Sequence, residues 1–286
     1  MPDKERIRFF QFDLMSHLFR SLRLAEILKD RFEVLMRRSE KYNDRIEHAG
    51  FKNFTCIDFQ PDSSLEKLGK YDFSWLHAAE LEKIFSAQVN IIEEYNPKLV
   101  IGDTSFTLKM AAEATAVPYV SVVNGYLSEH YSLKRKLSPG HPIFPYIGWL
   151  PDFLLDPVVQ YKEAQNFNLI LKEFNKVRKK YNLRESTHYL SELSGDRTVL
   201  CDLPELFPQK DLPTSHRIIG PLFFSNNSDG SDILEKLNPD KKTIVITMGS
   251  LHYENQFKFS DIENLGEYNV VVTGDKQNIL NAPFLI

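Results

Sequence analysis

A histidine that opens a helix and an aspartate that closes a strand are the residues of this chain most able to do chemistry together. His17 follows the short apolar run Ile7–Phe12 and sits at or within the first turn of a helical pattern. The positive end of a helix dipole disfavours an imidazolium there, which promotes a neutral ring able to accept a proton. Asp103 stands in Val100-Ile101-Gly102-Asp103-Thr104-Ser105, at the matching end of a later strand. A carboxylate in that place could accept the second ring N–H, fix the tautomer and stabilise the imidazolium that forms when the base takes a proton. Each residue also has a plainer reading, His17 as a helix-start side chain that caps or packs locally and Asp103 as a helix N-cap. Taken alone, the local pattern leaves both readings open.

Such a pair needs strands whose ends meet at one edge. After Ile7–Phe12, Leu18, Leu22, Ala25 and Leu28 recur at helical spacing, with Leu24 and Ile27 widening the apolar face. Phe32–Met36 reads as a second strand, Tyr42–Ala49 as a short helix stopped by Gly50, and Phe54–Phe59 as a third strand. Pro, Gly and charges make 61–71 a loop. A helix over His77–Tyr95 ends at Asn96-Pro97, followed by a strand at Leu99–Ile101, an Ala-rich helix at Ser105–Thr115 and a strand at Tyr119–Val123. Strands alternating with helices at this spacing predict an α/β, Rossmann-like, doubly wound parallel sheet, with ligands at the carboxyl edge of its strands.

From Asn124 to Asp156 the rhythm yields to a stretch rich in Pro, Gly and aromatic residues. It is too long for a routine connection, and it reads either as a binding loop or as an apolar surface loop packed on its own domain. A helix over Val158–Tyr181 and strands at Thr198–Cys201 and Arg217–Ile219 follow. Beyond the polar stretch Ser225–Ser231 the rhythm restarts with a strand at Thr243–Thr247, a helix near Phe259–Leu265 and a strand at Asn269–Val272. With 286 residues, the chain suits one domain and part of a second: residues 1–224, a linker at 225–240, and an incomplete Rossmann-like domain from 241.

A net charge of −4 offers no long-range attraction to nucleic acid. The cysteines, Cys56 and Cys201, are too few for a disulfide framework, and neither has a second thiol at metal-ligand spacing. No secretory apolar segment and no run of ~20 apolar residues is present, so a cytoplasmic protein without a transmembrane segment is expected. No bound metal is expected, since the histidines and carboxylates lack ligand spacing.

The order of motifs resembles a known family. Ser16-His17-Leu18-Phe19-Arg20-Ser21-Leu22-Arg23-Leu24-Ala25 looks like the first-helix motif of the inverting UDP-glycosyltransferase-like enzymes of the GT-B fold, with His before a Leu-Ala pair and no gap. Ile101-Gly102-Asp103 falls where that family's aspartate is expected. Ala111-Ala112-Glu113, Val117-Pro118-Tyr119-Val120, Asp202-Leu203-Pro204-Glu205-Leu206, Ile219-Gly220-Pro221-Leu222 and Thr243–Ser250 also match in order. Asp13-Leu14-Met15-Ser16 replaces the family's Gly-rich turn, and Arg20 stands where Pro is common.

The resemblance implies a hexosyltransferase-type enzyme that moves a sugar from a nucleotide diphosphate, expected to be UDP, to an acceptor hydroxyl with inversion. His17 would be the base and Asp103 its support, with no cofactor beyond the sugar nucleotide. It places Asn124, Tyr126, Phe144, Tyr146 and Trp149 around a flat, apolar or lipid-like acceptor, and Gly249 and Ser250 at the donor diphosphate. A His-Gly-Gly-type donor segment is absent from the sequence, so an incomplete, truncated donor half is expected. The alternatives are a noncatalytic acceptor-binding half working with a separate donor-domain chain, a fragment, or a sugar-nucleotide epimerase.

Overall fold

Residues Ile7–Gln11 of the first strand, β1 (Glu5–Gln11), are buried without interruption. That is the signature of a parallel strand covered on both faces. Its side chains alternate between two cores. Ile7 and Phe9 join Leu18, Leu22 and Ala25 of α1 (Met15–Leu28) and Ile46 of α2 (Asn43–His48). Phe10 and Phe12 join Leu81, Ile84 and Phe85 of α4 (Ala78–Tyr95), Leu108 and Met110 of α5 (Leu108–Thr115), and Phe174 and Val177 of α7 (Asp152–Lys180). Burying a side chain of this size contributes about 1.5–3 kcal/mol, so the period-two pattern of β1 fixes which face each helix must cover.

The computed structural model describes residues 4–139, 141–224, 231–247 and 265–273. They fall into two compact units, Met1–Phe224 and Ser225–Ile286. In the first, β1 is joined by β2 (Phe32–Arg37), β3 (Lys52–Phe54), β4 (Leu99–Asp103), β5 (Tyr119–Val123), β6 (Arg197–Leu200) and β7 (His216–Ile218). All pairings are parallel and the spatial order is β3-β2-β1-β4-β5-β6-β7. The order reverses direction between β1 and β4, and in doubly wound sheets ligands bind at the carboxyl edge of such a switch point. The expected α/β, doubly wound, Rossmann-like sheet is therefore the one observed.

Several elements differ from their expected bounds. Residues 61–69 form helix α3 (Pro61–Gly69), not a loop. Pro61 occupies the first helical position, where a missing N–H loses no bond, and Asp62 favours the positive end of the dipole. The third strand ends at Phe54, where the strand over 54–59 was expected to begin, because its partner β2 runs out at Arg37, paired with Phe54. Helix α7 starts at Asp152 and continues through Pro157. Its first turns are open to water, with Phe153 74% exposed, so the carbonyl that Pro157 leaves unbonded can be hydrated. Within the stretch 124–156 lies a four-residue helix, α6 (Phe144–Ile147).

In the second unit, α8 (Ser231–Leu234) precedes β8 (Thr243–Thr247), which pairs in parallel with β9 (Asn269–Thr273) from Thr243↔Asn269 to Thr247↔Thr273. The Asn269 amide ties this pair to the preceding turn, accepting from Asn238 N at 3.0 Å and donating to Asn238 O at 2.8 Å. The helix expected near Phe259–Leu265 lies outside the described residues except at Leu265, which begins a 3-10 turn.

Candidate functional site

Residues 12–14 link β1 to α1, with Leu14 as the N-cap and His17 as the third helical residue. The Phe12 amide donates to Asp103 O at 3.0 Å, and Gln11 is in register with Asp103. Two side chains separated by 86 positions thus share one strand edge, and His17 Nδ1 lies 2.6 Å from Asp103 Oδ1. The Asp103 side chain is 1% exposed and that of His17 13%.

Asp103 does not cap a helix. It is the last residue of β4, and α5 begins only at Leu108 with Thr107 at its N-cap. Between them Thr104 takes φ 52°, a left-handed conformation uncommon for a β-branched residue. The turn places the Asp103 carboxylate at the strand edge, beside His17.

Arg20, one helical turn beyond His17 on the same face, completes the group. Its Nε donates to Asp103 Oδ2 at 3.0 Å, its Nη2 to Oδ1 at 2.6 Å and its Nη1 to Asn124 Oδ1 at 3.0 Å. Burial acts against its charge, but the Asp103 carboxylate outweighs that and holds the guanidinium above its ordinary value. Arg20 Nη2 also approaches His17 Nδ1 to 2.8 Å. A ring nitrogen cannot donate to Asp103 and accept from Arg20 at once. A bare Nδ1 would set its lone pair against a carboxylate oxygen at 2.6 Å, so the arrangement that satisfies the carboxylate is Nδ1–H donating to Asp103. Nε2 is then the free, proton-accepting nitrogen.

An aromatic wall stands beside the base. The Phe12 ring meets His17 edge-on at 5.9 Å and Phe106 at 6.0 Å. Phe106 in turn contacts Phe59 at 5.7 Å and Trp75 at 5.2 Å, all nearly perpendicular. Sequence reasoning missed this wall because its members come from four separate connections. The edge next to it is charged: Arg37 pairs with Asp58 at 3.1 Å and donates to Gln11 O, while Asp13 accepts from the Ser39 hydroxyl and from Glu40 N. Burial pushes the Asp58 carboxyl above its ordinary range despite Arg37.

Of the five residues expected around an acceptor, Asn124 touches this group through Arg20. Tyr126, in the turn after β5, stacks at an angle on Phe207 at 6.0 Å, and its carbonyl accepts from Arg135. Phe144 and Tyr146 lie on α6 with Trp149 just beyond it, and the Trp149 indole donates to Tyr146 O at 2.8 Å. Tyr146 and Trp149 are about three-quarters exposed, at 75% and 76%. No hydrogen bond or ring contact among the described residues links these three to His17. A hollow of about 230 Å³ between the loop and α7 is lined by Ser128, Tyr131, Arg135, Glu163, Phe167 and His188, and by none of the five. Gly249 and Ser250 lie outside the described residues.

Burial pushes both thiols, Cys56 and Cys201, up to about 12, which leaves them protonated and poorly nucleophilic at neutral pH. Among the described residues no three His, Cys, Asp or Glu side chains are grouped to hold a metal ion, and no helix is long and apolar enough to cross a membrane.

Gly102 controls how Asp103 is presented. A Cβ there would meet Leu108 Cδ2 at 2.7 Å, Tyr119 Oη at 3.0 Å and Ser105 Cβ at 3.1 Å. Gly102→Ala should therefore destabilise the fold by roughly 1–3 kcal/mol, seen as a lower urea midpoint. An unchanged midpoint would show that Leu108 can move aside freely.

No family model matches the chain. Among curated proteins, the PGL/p-HBAD biosynthesis rhamnosyltransferase of Mycobacterium bovis is 24% identical over 277 residues, covering 94% of this chain and 60% of the relative. A PGL/p-HBAD biosynthesis glycosyltransferase of Mycobacterium tuberculosis is 25% identical over the same length, with 94% and 63% covered. This chain thus spans about three-fifths of the relatives' length. Among solved structures, the glycosyltransferase of kitacinnamycin superposes with a TM-score of 0.63 at 14% identity, covering 100% of this chain and 71% of the other. SnogD from Streptomyces nogalater gives 0.60 at 15%, with 99% and 71% covered, and VinC in complex with dTDP gives 0.58 at 16%, with 98% and 71% covered. Sequence and fold point the same way: the chain is similar to curated glycosyltransferases and shares the GT-B fold of the solved ones.

Proposed function

We propose that this chain carries the base and the acceptor side of an inverting glycosyltransferase of hexosyltransferase type. The observation that carries the reading is the 2.6 Å contact of His17 Nδ1 with Asp103 at the switch point of the sheet. In this reading the acceptor hydroxyl attacks the anomeric carbon of a nucleoside diphosphate sugar as its proton passes to His17 Nε2. The bond from that carbon to the diphosphate breaks on the opposite side, and the configuration inverts. Asp103 balances the positive charge that His17 gains. No metal or other cofactor takes part, and Gly249 and Ser250 are assigned to the donor diphosphate. The acceptor is taken to be flat, apolar or lipid-like; the buried rings of Phe12, Phe59 and Trp75 form the apolar backing behind the base.

The donor was expected to be a UDP-sugar, but two structural neighbours were solved with thymidine diphosphate, so both nucleotides belong in the assay. The test incubates the chain with each donor and aryl or lipid-linked hydroxyl acceptors and reads the product anomer by NMR. An inverted glycoside supports the reading; a retained one removes the direct-displacement mechanism. A sugar epimerised on its nucleotide without acceptor would favour an epimerase.

A second reading, a noncatalytic acceptor-binding half, has its own support. An inactive PGL/p-HBAD biosynthesis glycosyltransferase of Mycobacterium bovis is 26% identical over 242 residues. Acceptor binding without turnover, relieved by adding a donor-domain chain, would favour it.

A further inference from the structure

Asp103 faces one permanent cation, Arg20, and one potential cation, His17, with a single charge. Its carboxylate is 1% exposed, and it meets the Arg20 fork through both oxygens and His17 through one. We propose that Arg20 is a positioning residue for the base: it clamps the Asp103 carboxylate and balances its charge, so that His17 works as an uncharged proton acceptor. The proposal rests on the base role given to His17 above.

The charge count around the ring supports this. With His17 neutral, Arg20 and Asp103 form a closed ion pair. A second proton on the imidazole would set two cations on one carboxylate, with Arg20 Nη2 and His17 Nδ1 only 2.8 Å apart. Remove the guanidinium, and a nearly dry carboxylate is left without a counter-ion. An isolated buried charge is expensive, and the nearest group able to neutralise it is His17, by taking a proton and becoming a counter-ion instead of a base.

The other charged groups nearby have partners of their own. Asp58, from the loop after β3, pairs with Arg37 at 3.1 Å. Asp13, from the link between β1 and α1, is held by Ser39 and Glu40 N. Asp202, beyond β6, accepts from Gly125 N at 2.5 Å and adds to the field on Arg20. Thr104 also donates to Asp103, at 3.3 Å, but carries no charge. The fork geometry matters as well as the charge. Asn124 Oδ1 accepts from Nη1 at 3.0 Å and holds the guanidinium in place, so the two parallel bonds to Asp103 set the carboxylate plane that His17 reads. A lysine would supply the charge as a point and lose that plane.

The test follows the ring nitrogens of His17 by NMR in the ¹⁵N-histidine-labelled chain, over roughly pH 5 to 9. In Arg20→Gln the imidazolium pattern should persist to higher pH than in the native chain. Arg20→Lys should keep the native pattern. The same curve in all three, or the imidazolium lost earlier in Arg20→Gln, overturns the proposal, as does a Lys variant that behaves like the Gln variant. Should Arg20→Gln not fold, Asp103→Asn and Asp103→Asn/Arg20→Gln give the same comparison without an unpaired carboxylate. There the guanidinium should again hold the proton off His17, and equal titration in the two sinks the idea.

With a sugar donor and acceptor, Arg20→Gln should lower the ratio of acid-side to neutral rate roughly tenfold, the effect of about one pH unit. Arg20→Lys should lower kcat without moving the pH profile. If no sugar is transferred even with a donor-domain chain added, but the ring behaves as stated, the base reading fails and the clamp stands. If transfer occurs and the ring ignores Arg20, the reverse holds.

Discussion

Replacing His17 by alanine should cut sugar transfer by about 10²- to 10⁴-fold, the usual worth of a positioned general base, while leaving the fold and donor affinity intact. The side chain contributes little to the core, since it is partly exposed and its main contact is the hydrogen bond to Asp103. Alanine is also a good helix former at the third position of α1. Initial rates against circular dichroism of the same sample separate lost chemistry from lost structure. Asp103→Asn should weaken transfer for a different reason. An amide has one acceptor oxygen for three N–H donors and no charge for the imidazolium, so both ring orientation and charge balance suffer. Full activity in His17→Ala would take that residue out of the mechanism.

Glu192→Ala should cost about 3–5 kcal/mol of stability, the range seen when one partner of a buried ion pair is removed. Arg178, on α7, is 2% exposed in its side chain and Glu192 0%. Arg178 donates to both Glu192 oxygens at 2.8 Å, to Glu113 of α5 at 2.6 Å and to Arg184 O at 2.9 Å, while the Ser186 hydroxyl also reaches Glu192. Removing the glutamate leaves the guanidinium buried against a single, partly exposed Glu113. The double variant Arg178→Met/Glu192→Leu should recover much of the loss, because it buries no unmatched charge and frees Glu113 into water. Urea unfolding decides it; a loss under about 1 kcal/mol in Glu192→Ala would mean that water reaches the pair.

The alternation of strands and helices was legible because β1, β4 and β5 are short segments rich in β-branched and aromatic residues and α1, α4 and α5 carry apolar residues at helical spacing. Proline misled in both directions. Pro61 and Gly69 together suggested a loop where Pro61 in fact opens α3, and Pro157 hid the first turns of α7. His17 and Asp103 were paired by their strand-edge positions and by the family resemblance, but the local pattern left plainer readings open for each, since contact across 86 residues depends on which strands are neighbours. Arg20 was read only as a departure from the family's Pro, because a local pattern cannot show that its guanidinium reaches β4 and Asn124. The aromatic wall escaped for the same reason: Phe12, Phe59, Trp75 and Phe106 follow no common spacing and meet only once the sheet has closed. Around the acceptor, composition picked out Tyr146 and Trp149, but composition carries no information about direction.

The central place of β1 has a consequence for how the chain is made. The strand leaves the ribosome before either of its neighbours, β2 and β4, and the second of them is complete only when Asp103 has emerged. At about 5–20 residues per second, one edge of an apolar strand must wait several seconds for its partner. Until then the N–H and C=O groups along that edge are open to mispairing, and the site does not exist even in part. Agents that slow synthesis between residues 37 and 99 should therefore lower the yield of folded protein more than the same delay placed after β5.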